Sequence, residues 1–431
     1  MTPRRRVVVL GAGPAGLMAA LAAQRAGASV IVLAAGWGTL YWHAGCVDVL
    51  GYHPGRLDLV ESPAEALAAL VARQPDHPYA LAGVEGVAAA LDDLAAVCAE
   101  AGYPLEGSIG ANVLIPTGVG GARPTCLAPA TMTAGDVRRA GPTLIVGFER
   151  FFDLTPSLVA DNLEHRGAIA RAVTIDLPLL RSRRFVDAKA LATLFERADF
   201  RHEVALALGP KLGRATRVGF PAVLGIDHAT AVVNDLRTRL GVEVFEIPVV
   251  PPSIPGMRLH RILTRAVRDR GGRVYEGMEA VAAESRDRTV QAVLTAAAVR
   301  RKRTAGDAFV LATGGLLGGG IVGGHDGSLR EVVFGLPVHG PQNRAEWLRV
   351  DFDDPAGHPV FRAGLVVDEQ LRPVDRDGGP LLENVHVAGG ALAGAEAVRE
   401  RSHDGIAVAT GRLAGMAATG TTVRTHGEVP A

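Results

Sequence analysis

Gly11-Ala12-Gly13-Pro14-Ala15-Gly16 lies between the β-branched run Val7-Val8-Val9-Leu10 and an alanine-rich stretch, and no other segment restricts the fold of this chain as strongly. In a GxGxxG turn the first glycine permits a tight bend, the second lets backbone approach a phosphate, and the third lets the following helix pack closely on the strand. Amide groups at the helix start then face the anion. The pattern predicts a helix from about Pro14 to Ala26, stopped by Gly27, and a second strand at Val30-Ile31-Val32-Leu33. Both strands are continuous apolar runs, as buried parallel strands are. The segment is therefore expected to be a βαβ nucleotide-binding unit, with Gly11, Gly13, Pro14, Ala15 and Gly16 at the ligand.

Two apolar stretches imitate other things. Arg4-Arg5-Arg6 ahead of the first strand has the composition of a secretory leader, but a leader has no need of three glycines at fingerprint spacing. Ala308–Gly324 holds seven glycines in seventeen residues, so it reads as a buried strand running into a glycine loop rather than a membrane helix.

The fingerprint also calls for an acidic residue about 20 positions further on, which hydrogen-bonds the adenosine ribose. The second strand instead ends Leu33-Ala34-Ala35-Gly36, and the first acidic residue of the chain is Asp48. No arginine follows the strand to meet a 2′-phosphate. This argues against NAD and NADP. It also weakens a standard FAD reading; FMN, which has no adenosine ribose to anchor, escapes the objection, as does FAD held by backbone groups alone. Two later segments support a flavin: Ala312-Thr313-Gly314-Gly315 after a buried strand, and Glu383-Asn384-Val385-His386-Val387-Ala388-Gly389-Gly390 near the C-terminus. Both have the form of strand-to-glycine turns that fold against a flavin. Ala34, Thr313, Gly314, Gly315, Gly389 and Gly390 are accordingly expected cofactor contacts.

Composition excludes other classes. With 45 Lys+Arg against 45 Asp+Glu, and only 12 Phe, 5 Tyr and 3 Trp, the chain lacks the basic, stacking-rich surface of a nucleic-acid binder. Cys46, Cys98 and Cys126 are far apart and in no CxxC spacing, so neither a disulfide framework nor a metal or iron–sulfur site is expected, and a reducing compartment fits.

The length suggests two or three domains. The expected fold class is α/β: a Rossmann-like flavin-binding domain assembled from the discontinuous segments 1–140, 251–325 and 376–420, an inserted α/β cap at 141–250, a second cap excursion at 326–375, and a tail at 421–431. Pro251-Pro252 marks the expected exit from the inserted cap. Strands are expected at 144–148 and 168–177, with helices at 156–166 and 187–197.

The chain also resembles a known family over essentially its whole length: the B subunit of the anaerobic glycerol-3-phosphate dehydrogenase. Beyond the fingerprint, the resemblance is carried by Gly45-Cys46-Val47-Asp48-Val49-Leu50, His77-Pro78-Tyr79, Pro116-Thr117-Gly118 through Arg123-Pro124-Thr125, and Pro251 through Leu259. Arg330-Glu331, Arg344-Ala345-Glu346-Trp347 and Asp368-Glu369-Gln370-Leu371-Arg372-Pro373 complete it. The resemblance implies a complex that oxidises sn-glycerol 3-phosphate to dihydroxyacetone phosphate and delivers electrons to the quinone pool. It further implies FMN in this subunit, a FAD-containing A subunit and a membrane-associated iron–sulfur C subunit as partners, and a cytoplasmic location held peripherally to the membrane through a partner. Gly45 and Cys46, in the shared turn, join the expected cofactor contacts.

Such a reaction needs a base for the C2 hydroxyl proton and cations for the phosphate. His325 and His403, near the glycine loops, are the candidate bases; Arg123, Arg330, Arg344 and Arg372 are the candidate phosphate holders. His43, just before the Gly45 turn, is not expected to carry a covalent flavin. The competing expectation is a relay or scaffold subunit with no substrate site of its own.

Overall fold

The computed structural model describes residues 4–56, 58–296 and 301–421. The glycine fingerprint folds as its pattern predicts, into β1 (Arg6–Leu10), α1 (Pro14–Arg25) and β2 (Ser29–Ala34). Val7, Val8, Val9 and Leu10 are wholly buried, each stabilising the sheet by about 1.5–3 kcal/mol relative to exposure. Gly27, at φ 88°, takes the left-handed conformation that ends α1 and turns the chain into β2.

Three later strands complete the sheet: β3 (Arg273–Glu276), β4 (Ala308–Leu311) and β5 (Val385–Val387). All pairings are parallel and the order is β3-β2-β1-β4-β5. Leu10 stands opposite both Leu33 and Leu311, and Leu311 opposite Val387, so four strands end together. From β1 the chain goes to β2 on one side, while β4 lies on the other. Open α/β sheets bind ligands at such a reversal, beyond the strand C-termini. The closing helix α2 (His403–Ala417) packs on α1 at backbone distance: a Cβ on Gly411 would stand 2.3 Å from the Ala15 carbonyl oxygen, and one on Gly415 2.2 Å from that of Ala19.

The chain divides into two compact units, 1–39 with 48–94 and 262–431, and 40–47 with 95–261. The second unit has its own parallel sheet, in the order Glu243–Ile247, Arg217–Pro221, Thr143–Phe148, Ala170–Ile175. Its core holds Phe148, Phe195, Phe200, Phe220 and Phe245. In it Arg258 donates to both carboxylate oxygens of Glu246, at 2.7 and 2.8 Å, with both side chains buried. Burial alone would lower the Arg258 pKa, but the Glu246 charge outweighs it and keeps the guanidinium ionised.

The α/β class and the discontinuous nucleotide-binding sheet are those expected from sequence. The inserted unit is larger than 141–250. Its limits fall inside two helices, Gly83–Glu100 and Ile254–Asp269, where no change of composition marks them. Pro251-Pro252, a cis pair, lies within the second unit rather than at its edge. The 326–375 stretch belongs to the first unit. The expected tail lies outside the described residues but for Thr421. No described helix is long and apolar enough to cross a membrane.

Candidate functional site

The three fingerprint glycines do three different things. Gly11, at φ 112°, bends the chain out of β1 and lies so close to the turn after β4 that a Cβ would stand 2.2 Å from the Ala312 carbonyl oxygen. Gly16 sits under α1, where a Cβ would meet the Gly11 oxygen at 2.0 Å; its lack of a side chain seats the helix on the strand. Gly13 is different. A Cβ there would make only an ordinary contact, with Gly38 Cα at 4.0 Å, and Gly13 lines the cavity. The first turn of α1 carries no side-chain cap and no acidic residue, leaving its amides for an anion.

Beyond the strand ends these turns enclose a cavity of about 290 Å³. Gly11 to Ala15 form its middle; Ala34, Ala35 and Gly36 one end; Thr313, Gly314, Gly315, Gly389, Gly390 and His403 the other. Leu316, Leu317, Phe361, Leu392 and Ile406 supply apolar wall. Among the described residues that line it, only Glu279 and His403 carry a titratable side chain. Thr313 Oγ1 is buried with no hydrogen-bond partner among the described residues. A flavin fits this donor set: apolar walls for the ring system, helix amides and the bare Gly13 backbone for phosphate, and an unsatisfied hydroxyl at the wall.

His403 begins α2 beside the Gly389-Gly390 turn; a Cβ on Gly390 would lie 3.7 Å from its Nε2. Its Nδ1 is 3.5 Å from Asp404 Oδ1, and Asp48 is buried nearby with Arg401 at 3.7 Å. Burial alone would depress the His403 pKa, but the Asp404 carboxylate, aided by Asp48, outweighs it and raises the pKa, favouring imidazolium.

Of the residues singled out from sequence, Gly11, Gly13, Pro14, Ala15, Ala34, Thr313, Gly314, Gly315, Gly389, Gly390 and His403 come together around the cavity. The rest do not line it. Gly16 packs the helix. Gly45 and Cys46 belong to the second unit, where a Cβ on Gly45 would stand 2.3 Å from Pro255 Cβ and the Cys46 Sγ lies 3.8 Å from Met132 Sδ. Arg123 is also in the second unit. His325 and Arg330 are exposed. Arg344 lies over the Trp347 ring, 4.8 Å from its centre, and Arg372 is paired with Asp368 at 2.8 Å and Glu383 at 3.2 Å. Sequence reasoning missed Glu279, Phe361 and the Gly411/Gly415 contact. The last had a signal in its spacing, because Gly411-x-x-x-Gly415 matches Ala15-x-x-x-Ala19.

The FAD binding domain family matches residues 6–402. The chain is 36% identical over 433 residues to the B subunit of the probable anaerobic glycerol-3-phosphate dehydrogenase of Halobacterium salinarum, covering 97% of this chain and 98% of the relative. It is 31% identical over 419 residues to the B subunit of the anaerobic glycerol-3-phosphate dehydrogenase of Pectobacterium carotovorum, covering 94% and 96%. Among solved structures, the 3-ketosteroid delta1-dehydrogenase of Sterolibacterium denitrificans is similar at 13% identity and a TM-score of 0.44, over 98% of this chain and 100% of that one.

Proposed function

The chain belongs to the family of anaerobic glycerol-3-phosphate dehydrogenase B subunits, on a FAD binding domain, and on that premise we propose that it is the flavoprotein subunit of a complex oxidising sn-glycerol 3-phosphate to dihydroxyacetone phosphate. The observation that carries this reading is the cavity at the strand ends, lined by the Gly13 backbone and the first turn of α1 in its middle and by the Thr313 and Gly390 turns at one end. Those groups would hold the flavin, which when bound supplies the hydride and electron acceptor. The family description names FAD, and we take FAD rather than FMN as the nucleotide.

His403 is the one imidazole on the described cavity wall and is our candidate to hold or move a proton beside the Gly390 turn. His325, Arg330 and Arg344 stand exposed in the same unit and are candidate contacts for substrate or for a partner subunit. Electrons pass, in this proposal, to a FAD-containing A subunit or an iron–sulfur C subunit and thence to quinone, with the chain held at the cytoplasmic face of the membrane through its partner.

A second reading is favoured by one observation. Among the described residues no arginine or lysine lines the cavity, so the phosphate of the substrate would find no cation there. The chain would then relay electrons while a partner performs the oxidation. Purified protein, denatured to release its flavin and separately mixed with glycerol 3-phosphate without oxygen, decides between the two. Flavin bleaching by the isolated chain supports direct oxidation. Bleaching only after addition of the FAD-containing partner supports the relay, and release of no flavin overturns both.

A further inference from the structure

We infer that Glu279 anchors the adenosine ribose of a bound dinucleotide, replacing from a neighbouring strand the carboxylate that the end of β2 lacks. The inference deepens the flavin reading above and rests on it. In a βαβ nucleotide site the ribose anchor stands just past the second strand, where its carboxylate accepts hydroxyl hydrogen bonds. Here that strand ends in Ala34, Ala35 and Gly36, which offer no side-chain acceptor. The next strand in the sheet, β3, runs parallel to β2 with Glu276 opposite Ala34. The chain then bends at Gly277, and the Met278 N–H donates to the Ala34 carbonyl at 2.8 Å. That bond pins the following residue, Glu279, at the mouth of β2, where it joins Ala34, Ala35 and Gly36 in the cavity wall.

Two carboxylates lie at the end of β3, and they differ in what they are free to do. Glu276 accepts from Trp37 Nε1 at 3.0 Å and pairs with Arg268 at 3.6 Å. Glu279 is exposed, and among the described residues none donates to or pairs with its side chain. It is also the one carboxylate on the described cavity wall. The strand order, with β2 and β3 on one side of β1 and β4 and β5 on the other, points the same way. With phosphate on the α1 amides in the middle, a mononucleotide fills only the end bounded by Thr313, Gly390 and His403. A dinucleotide fills that end and the Ala34–Glu279 end as well.

The test uses the full chain stripped of flavin and titrated with FAD and with FMN, for wild type and Glu279→Gln. Wild type should bind FAD more tightly than FMN. Glu279→Gln should weaken FAD about tenfold or more, the worth of a hydrogen bond to a charged group, and leave FMN affinity near the wild-type value. Glu279 is exposed, so the melting temperature of the flavin-free variant should match wild type and exclude misfolding. Equal weakening of both flavins, unchanged FAD affinity, or wild-type FMN binding as tight as FAD would overturn the role of Glu279 while leaving a flavoprotein. Binding of neither flavin by wild type would overturn the underlying reading with it.

Discussion

A Cβ added to Gly315 would stand 2.0 Å from the carbonyl oxygen of Gly390, so two turns from distant parts of the chain meet backbone to backbone at one end of the cavity. Gly315 cannot gain a side chain without moving the Gly390 turn, whereas a Cβ on Gly390 would stand 3.1 Å from Gly315 N and need only a small shift. Gly315→Ala should therefore lower stability by about 1–3 kcal/mol, the usual cost of overpacking, and weaken flavin binding as well. Urea denaturation of the flavin-free protein and a flavin titration measure the two effects. Loss of flavin at unchanged stability would show that the turns can yield.

Gly13→Val should give the opposite pattern. An added Cβ at Gly13 would meet nothing nearer than Gly38 Cα at 4.0 Å, the residue lines the cavity, and its backbone is extended. The variant should fold with near wild-type stability and retain no flavin after purification. Normal flavin content would move the phosphate away from the α1 N-terminus.

Thr313→Val replaces a buried hydroxyl that has no partner among the described residues by a methyl of similar volume. An unsatisfied buried hydroxyl costs stability, so the flavin-free variant should be as stable as wild type or more so. A flavin that satisfies the hydroxyl loses that bond, and affinity should fall by about two- to tenfold. A variant with full flavin affinity would show that the hydroxyl makes no bond to the flavin.

His403 should leave a pH signature. Burial opposes its charge, but Asp404 and Asp48 prevail, and its pKa in the folded protein lies above the ordinary 6.5. A raised imidazole pKa contributes stability that is complete below the unfolded value and is lost as pH rises through the folded one. Wild type should therefore lose stability as pH climbs from the ordinary imidazole range through the raised value. His403→Gln should flatten that slope. Thermal melts across neutral pH check it, and identical slopes would mean that His403 titrates no higher in the folded protein than in the unfolded one.

The strand-turn-helix at Val7–Arg25 is legible because every cause of it is local. β-Branched residues favour the strand, Gly11 tolerates the bend, Pro14 starts the helix and Gly27 stops it. The turns at Thr313 and Gly389 are legible for the same reason, since each follows a short apolar strand. The limits of the inserted unit were not legible, because they cross helices whose composition is even from end to end.

Arg372 shows why residue type misleads. A sequence presents it as a free cation, whereas the fold brings Asp368 and Glu383 to it and neutralises its charge. Cys46 and Gly45 sit only a few residues from cavity-unit segments yet pack within the other unit. Glu279 is the converse case. No sequence spacing links it to the β2 end 245 residues earlier, and only the parallel pairing of β3 with β2 sets it there.

By itself, then, the sequence determined the nucleotide-binding βαβ unit and the glycine turns that close on it, because strand, helix and turn propensities act between near neighbours. The tertiary structure decided which charges reach the cavity. That depends on strand order and register, through which residues hundreds of positions apart share one sheet edge and ion pairs occupy the others.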